Sequence, residues 1–407
     1  MIHPSRETFD QEIEQQTRLV RGLMAALYAS IESDPDESLL RELAEAKQTL
    51  RELHQRRDVK QADAEKAQAG PKRTMGVPLG PETTGLRVVT TIRLQPIPTG
   101  VYHLLDPQTD PLLTVTVKNE SHEPKRICVT AYLEGLSARA IKTVELGRMD
   151  REGQTIHLLP SLIPEQARRI TEVQRCTLHV EVIDLDKKVE SRDTHSLVLL
   201  ARTSSFNSIV DPETGRPRDL TKYYAAWVTP HVEPIQALVR KAAEKVPGRR
   251  IWGYQGRPDP EATATQVKAL FDTLKEAGIA YVDSVIDFGA GPGQVTQRTR
   301  LPRESLSRRA ANCIDGSVLF ASLLEGSSLN AALVLVPGHA FVGWEVWDSS
   351  DDWKFLETTM IGSHDFQAAC ISGERQYEQA KLFDSARLVR HRLVDLRALD
   401  IWPMEAT

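Results

Sequence analysis

The sequence is poor in the residues that build crosslinked or membrane-bound architectures. Four cysteines in 407 residues, Cys128, Cys176, Cys313 and Cys370, stand far apart and form no C-x-x-C pair. That argues against a zinc site and a disulfide framework, and for reduced thiols. No apolar run reaches the length of a membrane-spanning helix. The start, MIHPSRETFDQEIEQQ, is charged from the outset and lacks the apolar stretch of a leader. Charge of one sign is also lacking: 51 basic against 56 acidic residues leave a net −5. No field of excess charge points to nucleic acid or a membrane. A cytoplasmic protein is expected, with no cofactor and no metal. What is present is 41% apolar content, enough in a chain of this length for two or three domains with cores of their own.

From Phe9 to Glu32 the apolar residues Ile13, Val20, Met24, Leu27 and Ile31 recur near helical spacing. Asp34 then supplies an N-cap, Pro35 the first helical position and Glu37 the acid of a capping box. The second helix carries Leu39, Leu43, Ala46, Leu50 and Leu53 on one narrow stripe. Residues 1–69 are thus expected to form a helical hairpin. Two helices alone bury too little, so the hairpin packs on its own chain, on a second copy or on a partner protein. Three prolines and four glycines mark 70–85 as a linker.

Over 86–202, short apolar or alternating runs arrive around Val88, Leu113–Val117, Ile127–Leu133, Ile141–Leu146, Ile156–Leu159, Leu178–Ile183 and Leu197–Leu200. Seven such runs suggest an immunoglobulin-like β-sandwich. Period-2 alternation puts Cys128 on the face opposite Ile127 and Val129, while Cys176 shares the face of Leu178, so the two should not bond. Residues 203–222 read as an irregular connector. Beyond it come helices near Val232–Val246 and Glu261–Ala277, the second ending at Gly278, and then a strand, Ile279–Asp287. Trp252-Gly253-Tyr254-Gln255, between the helices, either lines a cleft or packs. A helix over Ser363–Phe383 and a strand near Leu388–Val394 close the chain.

The residues that carry chemistry lie between Ala310 and Gly362. Ile314, Val318, Leu319, Phe320, Ala321, Leu323 and Leu324 wrap nearly all round a helix, which reads as one buried inside a domain. Cys313 sits in its first turn behind Asn312, a good N-cap, where free amides and the positive dipole end favour a thiolate. Ala331–Val336 is a strand, Pro337-Gly338 breaks it, and a second strand starts at His339. Trp353–Thr359 returns antiparallel. If the loop spans about Glu345 to Asp351, His339 falls opposite Glu357, where a carboxylate can orient the imidazole; Asp348 is the alternative orienter. A thiolate, a base and acid beside it, and a carboxylate that fixes the tautomer are the parts that nucleophilic cysteine chemistry needs.

A cysteine opening an apolar helix, G-H-A-F on a strand, and a hairpin returning through F-L-E-T-T resemble the core of the transglutaminase-like superfamily. That papain-like group includes bacterial cysteine peptidases and peptide N-glycanases. The resemblance covers roughly Tyr223 to Asp395 and implies that 223–407 is a transglutaminase-like domain of an α+β multidomain protein. It implies Cys313 as nucleophile, His339 as base and Glu357 as orienter, where most members carry Asp; Glu357→Asp is expected to recover much of the activity lost in Glu357→Gln. Gln294 or Gln297 would donate to an oxyanion, as a glutamine does in papain-like enzymes, with the Cys313 amide the stronger candidate. The substrate would be a protein or peptide. Water as acceptor gives a peptidase or amidase, the first choice, and an amine gives a transglutaminase; a non-catalytic binding module is the third reading. Val285-Ile286-Asp287-Phe288-Gly289-Ala290-Gly291-Pro292-Gly293 separately resembles a methyltransferase cofactor turn. The β-prone residues that follow do not open the helix such a turn requires.

Overall fold

The computed structural model describes residues 85–404, except 187, 188, 211–214, 216, 257, 283–295 and 384, together with 12, 15, 16, 19, 42, 45, 46 and 49. The chain divides into two compact units, Met1–Thr74 and Met75–Thr407. In the first unit every described residue is helical, and the Gln16 side-chain amide donates to the carbonyl of buried Ala46 at 3.1 Å. Two helices therefore touch there. The cap expected at Asp34–Glu37 and the linker up to residue 84 lie outside the described residues.

The second unit is mixed α/β with several antiparallel sheets. Strands occur at each of the seven places expected over 86–202: β1 (Leu86–Ile92), β2 (Leu113–Asn119), β3 (Lys125–Leu133), β4 (Ala140–Leu146), β5 (Gln154–Leu158), β6 (Gln174–Asp184) and β7 (Val189–Leu199). One helical turn, α1 (Pro164–Arg168), precedes β6. The strands form a β1-β2-β5 sheet and a β4-β3-β6-β7 sheet, antiparallel throughout. Alternation buries Val115 and Val117 from one sheet and Ile127, Val129, Ala131, Leu133, Leu178, Val180 and Val182 from the other. Each fully buried side chain of this kind contributes about 1.5–3 kcal/mol. Cys176 is buried with them, Cys128 is half-buried, and all four cysteines are free thiols. Burial pushes the Cys176 thiol up to about 11.

The apolar core continues without a break from Leu86 to Ile401. The expected connector is partly strand: β8 (Ser204–Phe206) pairs with β12 (Thr296–Arg298), and β9 (Ser208–Val210) with β10 (Pro217–Asp219). Then come α2 (Glu233–Ala243) and α3 (Pro260–Glu276), whose N-cap Asp259 accepts from the Ala262 amide at 3.0 Å. The strand expected over 279–287 is described only as β11 (Ala280–Tyr281), parallel to β13 (Ala310–Ala311). Pro302 opens a helix, α4 (Pro302–Arg308), because its missing N–H is one a first turn leaves unused.

The site is carried by α5 (Cys313–Gly326), β14 (Ala331–Val336), β15 (His339–Glu345), β16 (Trp353–Leu356), α6 (Phe366–Phe383), β17 (Val389–Arg392) and α7 (Leu393–Ala398). The sheet order is β16-β15-β14-β17, all antiparallel. Ala331, Leu333, Ala340, Val342, Trp344 and Leu356 share the main core with α5. Ala332, Val334, Phe341, Trp353 and Phe355 form a second cluster on the other face, where Tyr377 of α6 stacks on Phe355 at 3.9 Å. Helix α6 also covers the open edge of β16. The Phe355 amide donates to Glu374 Oε1 and the Glu357 amide to the Ala369 carbonyl, each at 3.0 Å. That approach needs Gly373, where a Cβ would stand 2.6 Å from the Leu356 nitrogen. No helix among the described residues is long and apolar enough to cross a membrane.

Candidate active site

Cys313 is half-buried at the first position of α5. Asn312 caps the helix, accepting from the Asp315 amide at 2.8 Å, and Asp315 answers by accepting from the Asn312 amide at 3.3 Å. Arg300 closes the arrangement from outside the helix. Its backbone amide and guanidinium donate to the two Asp315 oxygens at 2.6 and 2.8 Å. Burial pushes the Asp315 carboxyl up, against the pull of these amides and of Arg300. One turn on, Gly316 admits Thr358: a Cβ there would stand 3.0 Å from Thr358 Oγ1. The segment just after β16 is thereby seated on the first turn of the cysteine helix.

Pro337-Gly338 turns β14 into β15, with Gly338 at the positive φ of 76° that the turn requires. His339, first in β15, keeps 26% of its side chain exposed and meets Glu357, which keeps 4%, with Nε2 and Oε2 2.7 Å apart. The register differs from the expected one by two residues. Glu345 pairs with Trp353 and Val342 with Leu356, so Glu357 falls opposite Phe341 and not opposite His339. A slip of two keeps every side chain on its face, since the strand period is two. Glu357 therefore reaches His339 along the diagonal, a span that long side chains bridge.

The Glu357 carboxylate is fully engaged. Oε1 accepts from the Thr359 amide at 2.9 Å and its hydroxyl at 2.7 Å, while Oε2 takes Gln376 Nε2 at 2.5 Å as well as the imidazole. Burial would raise this carboxyl; the His339 bond and charge and the Thr359 donors outweigh it and hold it below its ordinary value. On His339, burial would lower the imidazole. Side-chain interaction with Cys313, the hydrogen bond to Glu357 and the charges of both instead lift it to about 10. With Nε2 donating to a carboxylate that can only accept, Nδ1 is the nitrogen left for the sulfur.

Gln297, in β12, spends its Nε2 on the neighbouring Arg298 carbonyl at 2.9 Å. Gln294 and the glycine-rich segment lie outside the described residues, and β12 after them is strand. Asp348 accepts from Asn330 Nδ2 at 3.0 Å, by the far end of β15. Trp252 and Tyr254 belong to the packing there too: the Tyr254 hydroxyl donates to the Glu345 carbonyl at 2.7 Å and its ring meets Trp347 edge-on. Glu345 is six residues from His339, about 20 Å along a strand, so this stretch is not beside Cys313. Thr359 and Gln376 escaped sequence reading. Gln376 did leave a signal, since Ala369, Gly373 and Gln376 recur at helical spacing on one face of α6. Among the described residues no three His, Cys, Asp or Glu side chains gather as a metal site requires.

No family model matches the chain, and no curated protein matches it. Among solved structures it is similar to the FixG-related protein from Vibrio parahaemolyticus, at 9% identity over 29% of this chain and 98% of that one, with a TM-score of 0.19. So slight a likeness carries no argument about fold or function.

Proposed function

We propose that residues 223–407 form a transglutaminase-like cysteine hydrolase, with residues 86–202 as an immunoglobulin-like sandwich beside it. One observation carries the reading: Glu357 holds His339 at 2.7 Å at the start of β15, the strand whose Ala340 and Val342 share a core with the helix that Cys313 opens. The Cys313 sulfur attacks an amide carbonyl carbon of a protein or peptide. As the C–S bond forms, the carbonyl electrons move to oxygen, and the Cys313 amide at the helix end is placed to receive that charge. Asp315 and Asn312 use each other's amides for the cap, which does not draw on the Cys313 amide. Collapse breaks the C–N bond, and the His339 imidazolium protonates the departing amine. The same imidazole then takes a proton from water, which attacks the thioester and releases Cys313 as thiolate.

Iodoacetamide labelling of the full chain at neutral pH, read site by site by mass spectrometry, tests this. Cys313 is expected to label at least about tenfold faster than Cys128, Cys176 or Cys370, because a nucleophilic cysteine works at a helix N-terminus with a base to assist it. Equal slow labelling of all four would sink the hydrolase. Peptide profiling of wild type against Cys313→Ala then separates new amines from new crosslinks.

A further inference from the structure

Glu357 is gripped by α6 at both its main chain and its side chain. Its amide donates to the Ala369 carbonyl, and two turns along the same face Gln376 donates to its carboxylate. Gly373, between them, lets the helix lie directly on the Leu356 backbone. Gln376 and His339 converge on the same oxygen, Oε2, while both Thr359 donors take Oε1. With 4% of the side chain exposed, water is a poor substitute for any of these donors. A buried charged acceptor that loses one donor is left short by the full desolvation of that bond.

We propose that Gln376 is a positioning residue of the site: it donates to the oxygen that His339 bonds, and so keeps Glu357 ionised and aimed at the imidazole. This rests on the cysteine-hydrolase reading. Gln376 does not reach the substrate in this scheme; it acts through Glu357, and its removal has a definite electrostatic sign. A donor to the charged form holds a carboxyl down, so loss of the donor lets Glu357 take up a proton at higher pH. Once Glu357 is neutral, the imidazolium loses its partner and the thiolate beside it is held less well. The charges that act on His339 are Glu357 and Cys313, and the charge that acts on Glu357 is His339. Glu374 on α6 faces the Phe355 amide, Lys354 and Cys370, and Asp315 in α5 is matched by Arg300. None of these replaces Gln376.

The test is the rate of Cys313 alkylation by iodoacetamide between pH 4 and 8 in the full-length protein. In Gln376→Met, which keeps the bulk and loses the donor, the acid limb of that profile is expected to move up by about one pH unit. Thr359→Val, which removes one donor from the other oxygen, should move it the same way by less, and keeps the question open to test should Gln376→Met fold poorly. Glu374→Met, which removes the acceptor of the Phe355 amide, is the control for a general loosening of α6; it should lower the melting temperature without moving the limb. Fast Cys313 labelling with an unmoved limb in both donor variants overturns this inference and leaves the hydrolase standing. Slow Cys313 labelling in the wild type overturns both.

Discussion

Two buried ion pairs of equal length behave differently in this molecule. Lys125 and Asp184, at one end of the β3-β6 pairing, lie 2.7 Å apart with 1% of each side chain exposed. His339 and Glu357 also lie 2.7 Å apart, but His339 keeps 26% exposed and feels the charge of Cys313 as well as that of Glu357. Asp184 spends its second oxygen on the Asp186 amide at 3.1 Å, which makes the first pair a closed clasp between a strand and its turn. Enclosure therefore separates them more than distance does. A sealed pair can only hold the fold, whereas a pair open on one side can pass a proton to something that arrives there.

The sharpest way to break this contrast is to break the sealed pair. Lys125→Met takes the lysine's charge away from Asp184 in the core, and the expected loss is about 3–5 kcal/mol in urea denaturation. Adding Asp184→Leu removes the second charge of the pair, and the double variant should recover most of that loss. Cys313 labelling in the folded single variant should stay at the wild-type rate, since the clasp has no link to the thiol. A single variant within about 1 kcal/mol of wild type would mean that Asp184 is satisfied without the lysine.

The open pair should respond in turnover more than in stability. Glu357→Gln keeps the length of the side chain but removes the charge that favours the imidazolium and can select the wrong tautomer. The expected loss is on the order of 10²-fold in turnover, with the fold retained. The register changes what Glu357→Asp should do. Sequence reading expects Asp to restore activity as the residue most members of the resembling family carry. Glu357 stands diagonally from His339, opposite Phe341, and the extra methylene spans that diagonal. Asp is therefore expected to fall within a few-fold of Gln, and recovery to near wild-type turnover would show that the strand end shifts to meet it.

What was legible in the sequence followed patterns that are local. The wrap of apolar residues from Ile314 to Leu324, with Asn312 ahead of it, sufficed to put Cys313 in the first turn of a buried helix. The seven runs over 86–202 showed where strands lie, but not how long: Glu190–Ser196 is polar throughout and becomes strand only by pairing with β6. Pro302 ends the β-prone run before it and also begins a helix, and only the first of these was legible. At the site, the sequence brought out the three residues whose roles have a characteristic order. It could not supply the register, which the hairpin loop decides, nor Gln376, whose role exists only because α6 folds back onto β16.

The smallest expected effect is on stability, and its sign follows from the same two shifts. His339 is raised from 6.5 to about 10, so it contributes stability that is fully present below pH 6.5 and is lost as pH rises towards 10. Glu357 is lowered from 4.5, so it contributes stability that is present above pH 4.5 and is lost as pH falls through its folded value. The two contributions overlap between pH 4.5 and 6.5. Melting curves of wild type and His339→Gln/Glu357→Gln across pH 4 to 10 should therefore differ most inside that window. The gap should be about 1–2 kcal/mol, less than full linkage because solvent screens the exposed side of the imidazole. It should narrow steadily on the alkaline side, a course that surface carboxylates, already ionised there, would not produce. A gap that holds constant from pH 6.5 to 10 would mean that the folded imidazole is neutral over this range.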